Sequence, residues 1–106
     1  MRQNTPLVSV LIPAYNHQDY VQETIKSIIN QTYKNIELII IDDGSKDNTW
    51  QKIQELLPIC KERFSRFIFE TKQNEGTCKT LNKLLAKAEG KYVYFIASDD
   101  IASLKA

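Results

Sequence analysis

A chain of 106 residues that is 42% hydrophobic and 25% charged has the composition of one small globular domain, or part of one, with a modest core. Its 14 Lys and Arg against 13 Asp and Glu leave a net charge of +1, and the basic residues are scattered, so there is no electrostatic footprint for a nucleic-acid backbone. Cys60 and Cys78 form neither a CxxC nor a Cys/His spacing, which argues against a zinc site and a disulfide scaffold; both are expected to be reduced, half-buried small hydrophobes. The longest apolar runs, such as residues 92–97 and 38–41, fall far short of the ~20 residues that span a bilayer. Residues 1–6 lack the apolar core of a signal peptide. The expected location is the cytoplasm, with any association with a membrane surface arising only through regions outside this sequence.

Leu7-Val8-Ser9-Val10-Leu11-Ile12 is a β-branched run expected to form a buried first strand. Pro13 ends it, because proline cannot donate to a ladder and biases its predecessor to extended geometry. Asp19 is placed to cap a helix in which Val21, Ile25, Ile28 and Ile29 form one apolar stripe opposite Gln22, Glu23 and Lys26, ending near Asn30. Residues 36–41 read as a second strand, stopped by the turn Asp42-Asp43-Gly44-Ser45. Asp47 or Asn48 caps a second helix with the stripe Trp50, Ile53 and Leu57, which Pro58 ends or kinks before the polar stretch 61–63. Phe67-Ile68-Phe69 is a short third strand. Gly76-Thr77 precedes a third helix with Leu81, Leu84, Leu85 and Ala88 on one face and Gly90 as a left-handed cap; residues 92–97 form the fourth strand. The order β-α-β-α-β-α-β, with short connections and near-continuous apolar strands, predicts an α/β fold: a mostly parallel β-sheet with helices on both faces.

In such a sheet the loops leaving the C-terminal strand ends gather along one edge, which brings residues 13–16, 42–45 and 98–100 together. The first offers backbone groups, the aromatic face of Tyr15 and the amide of Asn16, a mixture suited to a base or sugar edge. The second offers Asp42 and Asp43. The third offers Asp99 and Asp100, an acidic pair released directly after an apolar strand and suited, as hard oxygen donors, to a divalent cation carrying phosphates. Like charges ~4 Å apart cost on the order of 1 to 4 kcal/mol, so two acidic pairs on one edge call for a cation or a ligand between them. Turn-making and capping in solvent is the competing role for these carboxylates, weightiest for Asp42. Neither GxGxxG nor the P-loop spacing occurs, which speaks against NAD and Walker-type sites. His17, the only histidine, has no Ser or Cys partner at triad spacing and is expected to be a solvated loop residue.

Taken in order, Val8-Ser9-Val10-Leu11-Ile12-Pro13-Ala14-Tyr15-Asn16, Ser27-Ile28-Ile29-Asn30-Gln31-Thr32-Tyr33, the stretch from Glu37 through Asp42-Asp43-Gly44-Ser45-Lys46-Asp47-Asn48-Thr49, Asn74-Glu75-Gly76, and Gly90-Lys91-Tyr92 leading to Asp99-Asp100 resemble the family 2 glycosyltransferases of the GT-A fold. The resemblance runs from about Leu7 to Asp100. It implies a Rossmann-like sheet and an inverting transfer of a sugar from a nucleoside diphosphate sugar, a UDP sugar first and a GDP or dTDP sugar after it, to an acceptor hydroxyl in polysaccharide or cell-surface glycan synthesis. It further implies that Pro13, Ala14, Tyr15 and Asn16 line the nucleoside pocket, with Tyr15 near the base, and that Asp43 accepts a hydrogen bond from the base beside Asp42. Asp99, with Asp100 supporting the metal or the ribose, would ligate Mg2+ or Mn2+ bridging the diphosphate. Ala97 stands where the family commonly has the first Asp of its DxD motif. Leu81 stands where many relatives have an arginine before the residue matching Asn82, and Lys79 is the substitute for that diphosphate contact.

The family's general base and its acceptor-binding half have no counterpart within residues 1–106, and a complete domain of this kind is expected to need roughly 200 residues or more. The chain is therefore expected to be the N-terminal, donor-binding portion, inactive in transfer by itself, with an apolar surface left exposed where the remainder packs. Two other α/β readings compete. A phosphoacceptor receiver domain would place its acidic pair after strand one and its phosphoacceptor after strand three, where this chain has residues 13–16 and 71–74. A sugar-phosphate nucleotidyltransferase would carry a glycine-rich, basic loop after strand one.

Overall fold

The computed structural model describes residues 6–97. Within them the elements follow as β1 (Val8–Ala14), α1 (Val21–Ile29), β2 (Ile36–Asp42), α2 (Thr49–Glu55), α3 (Leu57–Arg63), β3 (Arg66–Thr71), α4 (Thr77–Lys87) and β4 (Tyr92–Phe95). The strands pair in parallel in the order β3-β2-β1-β4, with Val8 opposite Ile36 and Ala14 opposite Asp42 across the central pair. Every residue of β2 is buried, as expected for a strand covered on both faces. Alternation along the strands divides the core. Val10, Ile12, Leu38 and Ile40 pack with Val21, Ile25 and Ile28 of α1, Ile53 of α2 and Cys60 of α3. On the other face Leu11, Ile39 and Ile41 meet Leu84 of α4. Among the described residues no helix is long and apolar enough to cross a membrane.

Several local expectations give way to tertiary context. β1 continues through Pro13. The Ile96 N–H donates to the Leu11 carbonyl at 3.0 Å, and β4 itself stops at Phe95 rather than reaching Ala97. Pro13 is the next residue of β1 turned toward β4, so its missing N–H falls where no strand calls for it. Asp19 does not cap α1: the N-cap is Tyr20, without a side-chain cap bond, and the approach is closed by the Tyr20 and Val21 N–H groups on the His17 carbonyl at 3.0 and 2.9 Å. The second predicted helix is two helices broken at Leu56, and Pro58 opens α3, where a helix has no use for its N–H. Residues 61–63 extend α3 instead of leaving it. Arg63 folds back over the end of α1, donating from Nε to the Ile29 carbonyl at 2.8 Å and from Nη2 to those of Gln31 and Tyr33 at 3.1 and 2.7 Å.

Cys60 is buried, which pushes its thiol up to about 12, whereas Cys78 is exposed on the solvent side of α4, whose buried positions are Thr80 and Leu84. Leu85, expected on the apolar stripe of that helix, is 51% exposed. β4 borders the described sheet on one side, and Tyr92, Tyr94 and Phe95 are 51%, 43% and 50% exposed, so this strand is apolar without being buried.

Gly90 is not left-handed. Its requirement is space: a Cβ there would lie 2.5 Å from Ser9 Oγ and 2.7 Å from the Ser9 nitrogen. That close approach completes a polar cluster around Glu37, which is fully buried near the start of β2. Its carboxylate accepts from Ser9 Oγ at 2.5 Å, from the Glu89 N–H at 2.6 Å and from Arg66 Nη1 at 2.6 Å, and the Gly90 N–H donates to Ser9 Oγ at 2.8 Å. Burial works against the charge of Glu37, but the Ser9 hydroxyl, the Glu89 N–H and Arg66 outweigh it and hold the carboxyl below its ordinary range.

Gly90→Ala is expected to lower stability by about 1–3 kcal/mol, since the new methyl meets the Ser9 hydroxyl, which Glu37 holds in place, together with the backbone atoms Ser9 N and Leu7 O; urea unfolding measures it. Because the folded-state pKa of Glu37 is depressed, its contribution is complete above the ordinary glutamate value and is lost as pH falls through the lower folded value. Glu37→Gln should therefore flatten the acid side of the stability profile below about pH 4.5, and an unchanged profile there would remove Glu37 from that role.

Candidate functional site

The sheet order places β2 on one side of β1 and β4 on the other, so the strand order reverses at the β1/β4 pair, a topological switch point where open α/β sheets form a crevice. A cavity of about 340 Å³ lies there. Pro13, Ala14, Tyr15 and His17 line it from the end of β1 and its loop, Asp43 from the end of β2, Thr77 and Thr80 from α4, and Ala97 from beyond β4. Tyr15 is 39% exposed, an aromatic face open to a ligand.

The adjacent aspartates divide their work because consecutive residues leaving a strand turn to opposite sides. Asp42 is buried and accepts from the Thr71 hydroxyl at 2.8 Å, from the Ser45 N–H at 3.3 Å and from the Ser45 hydroxyl. It fastens a turn and does not line the cavity. Asp43, also buried, lines it. Oδ1 of Asp43 accepts from Lys72 Nζ at 2.5 Å and from the Glu75 N–H at 2.9 Å, and Oδ2 accepts from the Gly76 N–H at 3.1 Å. Burial opposes its ionisation, but Lys72 and the Glu75 N–H prevail and hold the carboxyl below the usual aspartate range. The charge of Asp43 is thus balanced within the protein, by a lysine and peptide donors, whereas the expected repulsion between this pair and Asp99-Asp100 involves residues outside the described ones.

Gly44, with φ 70°, makes this geometry reachable: a Cβ there would lie 2.6 Å from the Asn74 nitrogen, so the β3–α4 loop could not close over it. Asn74 Nδ2 donates to the Asp43 carbonyl at 3.1 Å, and Lys72 N–H to the Asp42 carbonyl at 3.0 Å. Gly76, with φ 97°, then turns the chain into α4.

Asn16 belongs to a second fastening. In the left-handed region at φ 52°, a conformation asparagine tolerates, it accepts from the Lys46 N–H through Oδ1 at 2.8 Å while its own N–H donates to Ser45 Oγ at 2.9 Å. His17 N–H donates to Thr49 Oγ1 at 2.9 Å, and Asp47 accepts from the Gln18 N–H at 3.3 Å and the Thr49 N–H at 2.9 Å. Burial works against the Asp47 charge, and the Thr49 hydroxyl and N–H groups overcome it, so this carboxyl too is held low. The run Gly44-Ser45-Lys46-Asp47-Asn48-Thr49 is a clamp on the β1–α1 loop. Its density of short polar side chains, greater than a turn needs, was the available signal.

Of the expected site residues, Pro13, Ala14, Tyr15 and Asp43 come together on the cavity; Asn16 and Asp42 build the loops around it. Lys79 is exposed on the first turn of α4 and does not line the cavity. Asp99 and Asp100, with Ser98, lie outside the described residues, and among the described residues no group of three or more His, Cys, Asp and Glu side chains could hold a metal ion. His17 is a wall of the cavity and not a solvated loop residue, because the Thr49 clamp draws its backbone inward. Lys72, Thr77 and Thr80 had no sequence signal: they reach the site only through the β3–α4 connection.

Residues 9–105 match the model of the family described as Glycosyl transferase family 2. An uncharacterised glycosyltransferase of Haemophilus influenzae is 45% identical over 100 residues, covering 94% of this chain and 30% of that protein. The putative teichuronic acid biosynthesis glycosyltransferase TuaG of Bacillus subtilis is 41% identical over 95 residues, 90% of this chain and 36% of its own length. The chain thus spans about a third of these curated relatives. Among solved structures, S. aureus TarS 1-349 in complex with UDP superposes with a TM-score of 0.77 at 30% identity, over 89% of this chain and 28% of that one. The mannosyltransferase PcManGT of Pyrobaculum calidifontis, in complex with GDP-Man and Mn2+, shares the fold with a TM-score of 0.83 at 24% identity, over 92% of this chain and 29% of its own. With a parallel, Rossmann-like sheet, a crevice at its switch point and a family match across nearly its whole length, the chain belongs to glycosyl transferase family 2.

Proposed function

We propose that this chain is the donor-binding portion of an inverting glycosyltransferase that passes a sugar from a nucleoside diphosphate sugar, a UDP sugar first, to an acceptor hydroxyl in cell-surface polysaccharide synthesis. The observation that carries the reading is the pairing of Tyr15 and Asp43 on one cavity at the β1/β4 switch point. Tyr15 offers a face for a base to stack on, worth about 1–3 kcal/mol per base in comparable sites. Asp43 offers a carboxylate to a ring N–H of that base, and Pro13 and Ala14 supply a flat, apolar wall. Thr77 and Thr80 offer small side chains where α4 begins. The complex of TarS with UDP and the teichuronic acid assignment of TuaG support the donor class and the polysaccharide setting.

Asp99, with Asp100 beside it, is the proposed ligand of Mg2+ or Mn2+, and Lys79 on the exposed first turn of α4 the proposed contact to the diphosphate. When bound, the cation would stabilise the negative charge gathered on the leaving nucleoside diphosphate. The described residues act before that point: they bind the nucleoside, orient it and exclude water from its base. Inversion would follow from a single displacement in which the acceptor hydroxyl gives its proton to a general base and its oxygen forms a bond to the anomeric carbon opposite the breaking bond to the diphosphate.

Calorimetry of the folded chain with UDP and Mn2+ is expected to show weak, metal-assisted binding, and no heat at roughly millimolar UDP would overturn the reading. Tyr15→Ala should weaken UDP binding about tenfold or more with the fold retained. Asp99→Ala should abolish the dependence on Mn2+; an unaltered metal response would remove Asp99 as the ligand.

A further inference from the structure

Lys72 lies at the end of β3 with its side chain only 14% exposed, and its ammonium bridges Asp43 Oδ1 at 2.5 Å and Glu75 Oε1 at 3.3 Å. Glu75 is in turn held by Lys83 Nζ at 2.9 Å. An ionised carboxylate accepts about four hydrogen bonds, two on each oxygen, and donates none. Lys72 and the Glu75 N–H fill Oδ1, while the Gly76 N–H takes one position on Oδ2. Thr80 Oγ1 lies 3.1 Å from the Gly76 carbonyl and also hydrogen-bonds the Asp43 carboxylate. A hydroxyl carries one proton, so when Thr80 gives it to the Gly76 carbonyl, one acceptor position on Oδ2 opens to a ligand in the cavity that Asp43 lines.

We propose that Lys72 is a positioning residue that makes this site selective for bases presenting a ring N–H: by occupying Oδ1 it keeps Asp43 an acceptor-only group with Oδ2 directed to the base. Uracil, thymine and guanine each carry such an N–H. Cytosine presents a lone pair at the corresponding ring nitrogen, which would face the carboxylate unpaired, and a buried polar group left without its partner is the strongest ground for discrimination between similar ligands. The inference rests on the nucleotide reading of the cavity and adds to it the residue that sets the preference among bases. The ionisable groups around Asp43 are Lys72 and Glu75 of the β3–α4 loop, Lys83 acting through Glu75, His17 on the same cavity and the neighbouring Asp42. Lys72 is the cation in direct contact with it.

The test is calorimetric titration of the 106-residue chain with UDP and with CDP, each with Mn2+, so that diphosphate and metal contributions cancel in the ratio. The wild-type chain is expected to prefer UDP by about tenfold or more. Lys72→Met should reduce the preference to about threefold or less, and Lys72→Arg, which keeps the charge, should retain it. In Lys72→Met, UDP binding should also fail at a higher pH on acidification than in the wild type, because Asp43 has lost the ammonium that keeps it ionised. A lysine that merely supported the loop would lower stability and leave the UDP to CDP ratio and the acid limb in place, which would overturn the proposal. So would a wild-type chain that binds both nucleotides alike. A wild-type chain that binds neither overturns the nucleotide reading along with it. If circular dichroism shows Lys72→Met to be unfolded, Lys72→Gln against Lys72→Arg decides by the same ratio.

Discussion

β2 carries a carboxylate at each end of the face it turns to α4: Glu37 near the start of the strand and Asp43 just past its end. The two serve opposite ends of the same helix. Asp43 accepts the Glu75 and Gly76 N–H groups that lead into α4, while Glu37 accepts the Glu89 N–H beyond it and draws in Arg66, whose Nη1 donates to the Lys87 carbonyl at 3.2 Å. The Asp43 carboxylate takes up N–H groups at the N-terminal end of the helix, and at its C-terminal end the Arg66 guanidinium stands between the Lys87 carbonyl and the Glu37 carboxylate. The apolar contact under α4 is narrow, with Leu84 its fully buried hydrophobic residue. Electrostatic fastening at both ends is what keeps this helix, and with it Thr77 and Thr80, in place over the sheet.

The same fastening organises the cavity. The Asp43 N–H donates to the Ala14 carbonyl at 2.8 Å, so the residue that holds the β3–α4 loop also ties the end of β2 to the end of β1. Around it, Asp42, Ser45, Asp47 and Thr49 fasten the β1–α1 loop from the other side. Two rings of hydrogen bonds, one on each side of the sheet edge, share the turn at Gly44. The walls of the cavity are therefore held by buried carboxylates with protein donors, so that under the proposed function Tyr15 and Asp43 are set before a ligand arrives. Preorganisation of this kind spares binding the cost of ordering loops.

Much of this was legible along the chain. The apolar runs of β1 and β2, the stripe of α1 and the turn at Asp42-Asp43-Gly44-Ser45 are local patterns, and the succession of strands and helices led from them to a parallel sheet with a ligand edge at the strand ends. Elements set by their surroundings were not legible. Pro13 stays in β1 because of where β4 stops; Gly90 is needed because of Ser9 across the sheet, and not for its backbone handedness; Arg63 belongs to α3 because carbonyls at the end of α1 await it. β4 is as apolar as a buried strand and yet exposed, since exposure depends on what lies beside a strand and not on its composition.

The distinction is sharpest at the acidic pair after β2. The sequence by itself determined that two carboxylates leave a buried strand at the C-terminal edge of the sheet, because short-range patterning defines a strand and its stop. Only the tertiary structure decided that Asp42 closes a turn while Asp43 faces the cavity, and that Lys72, 29 residues away along the chain, sits on Asp43. The physical reason is alternation combined with distance: neighbouring side chains leave a strand on opposite sides, and the partners that settle each one's role arrive from loops the sheet brings together.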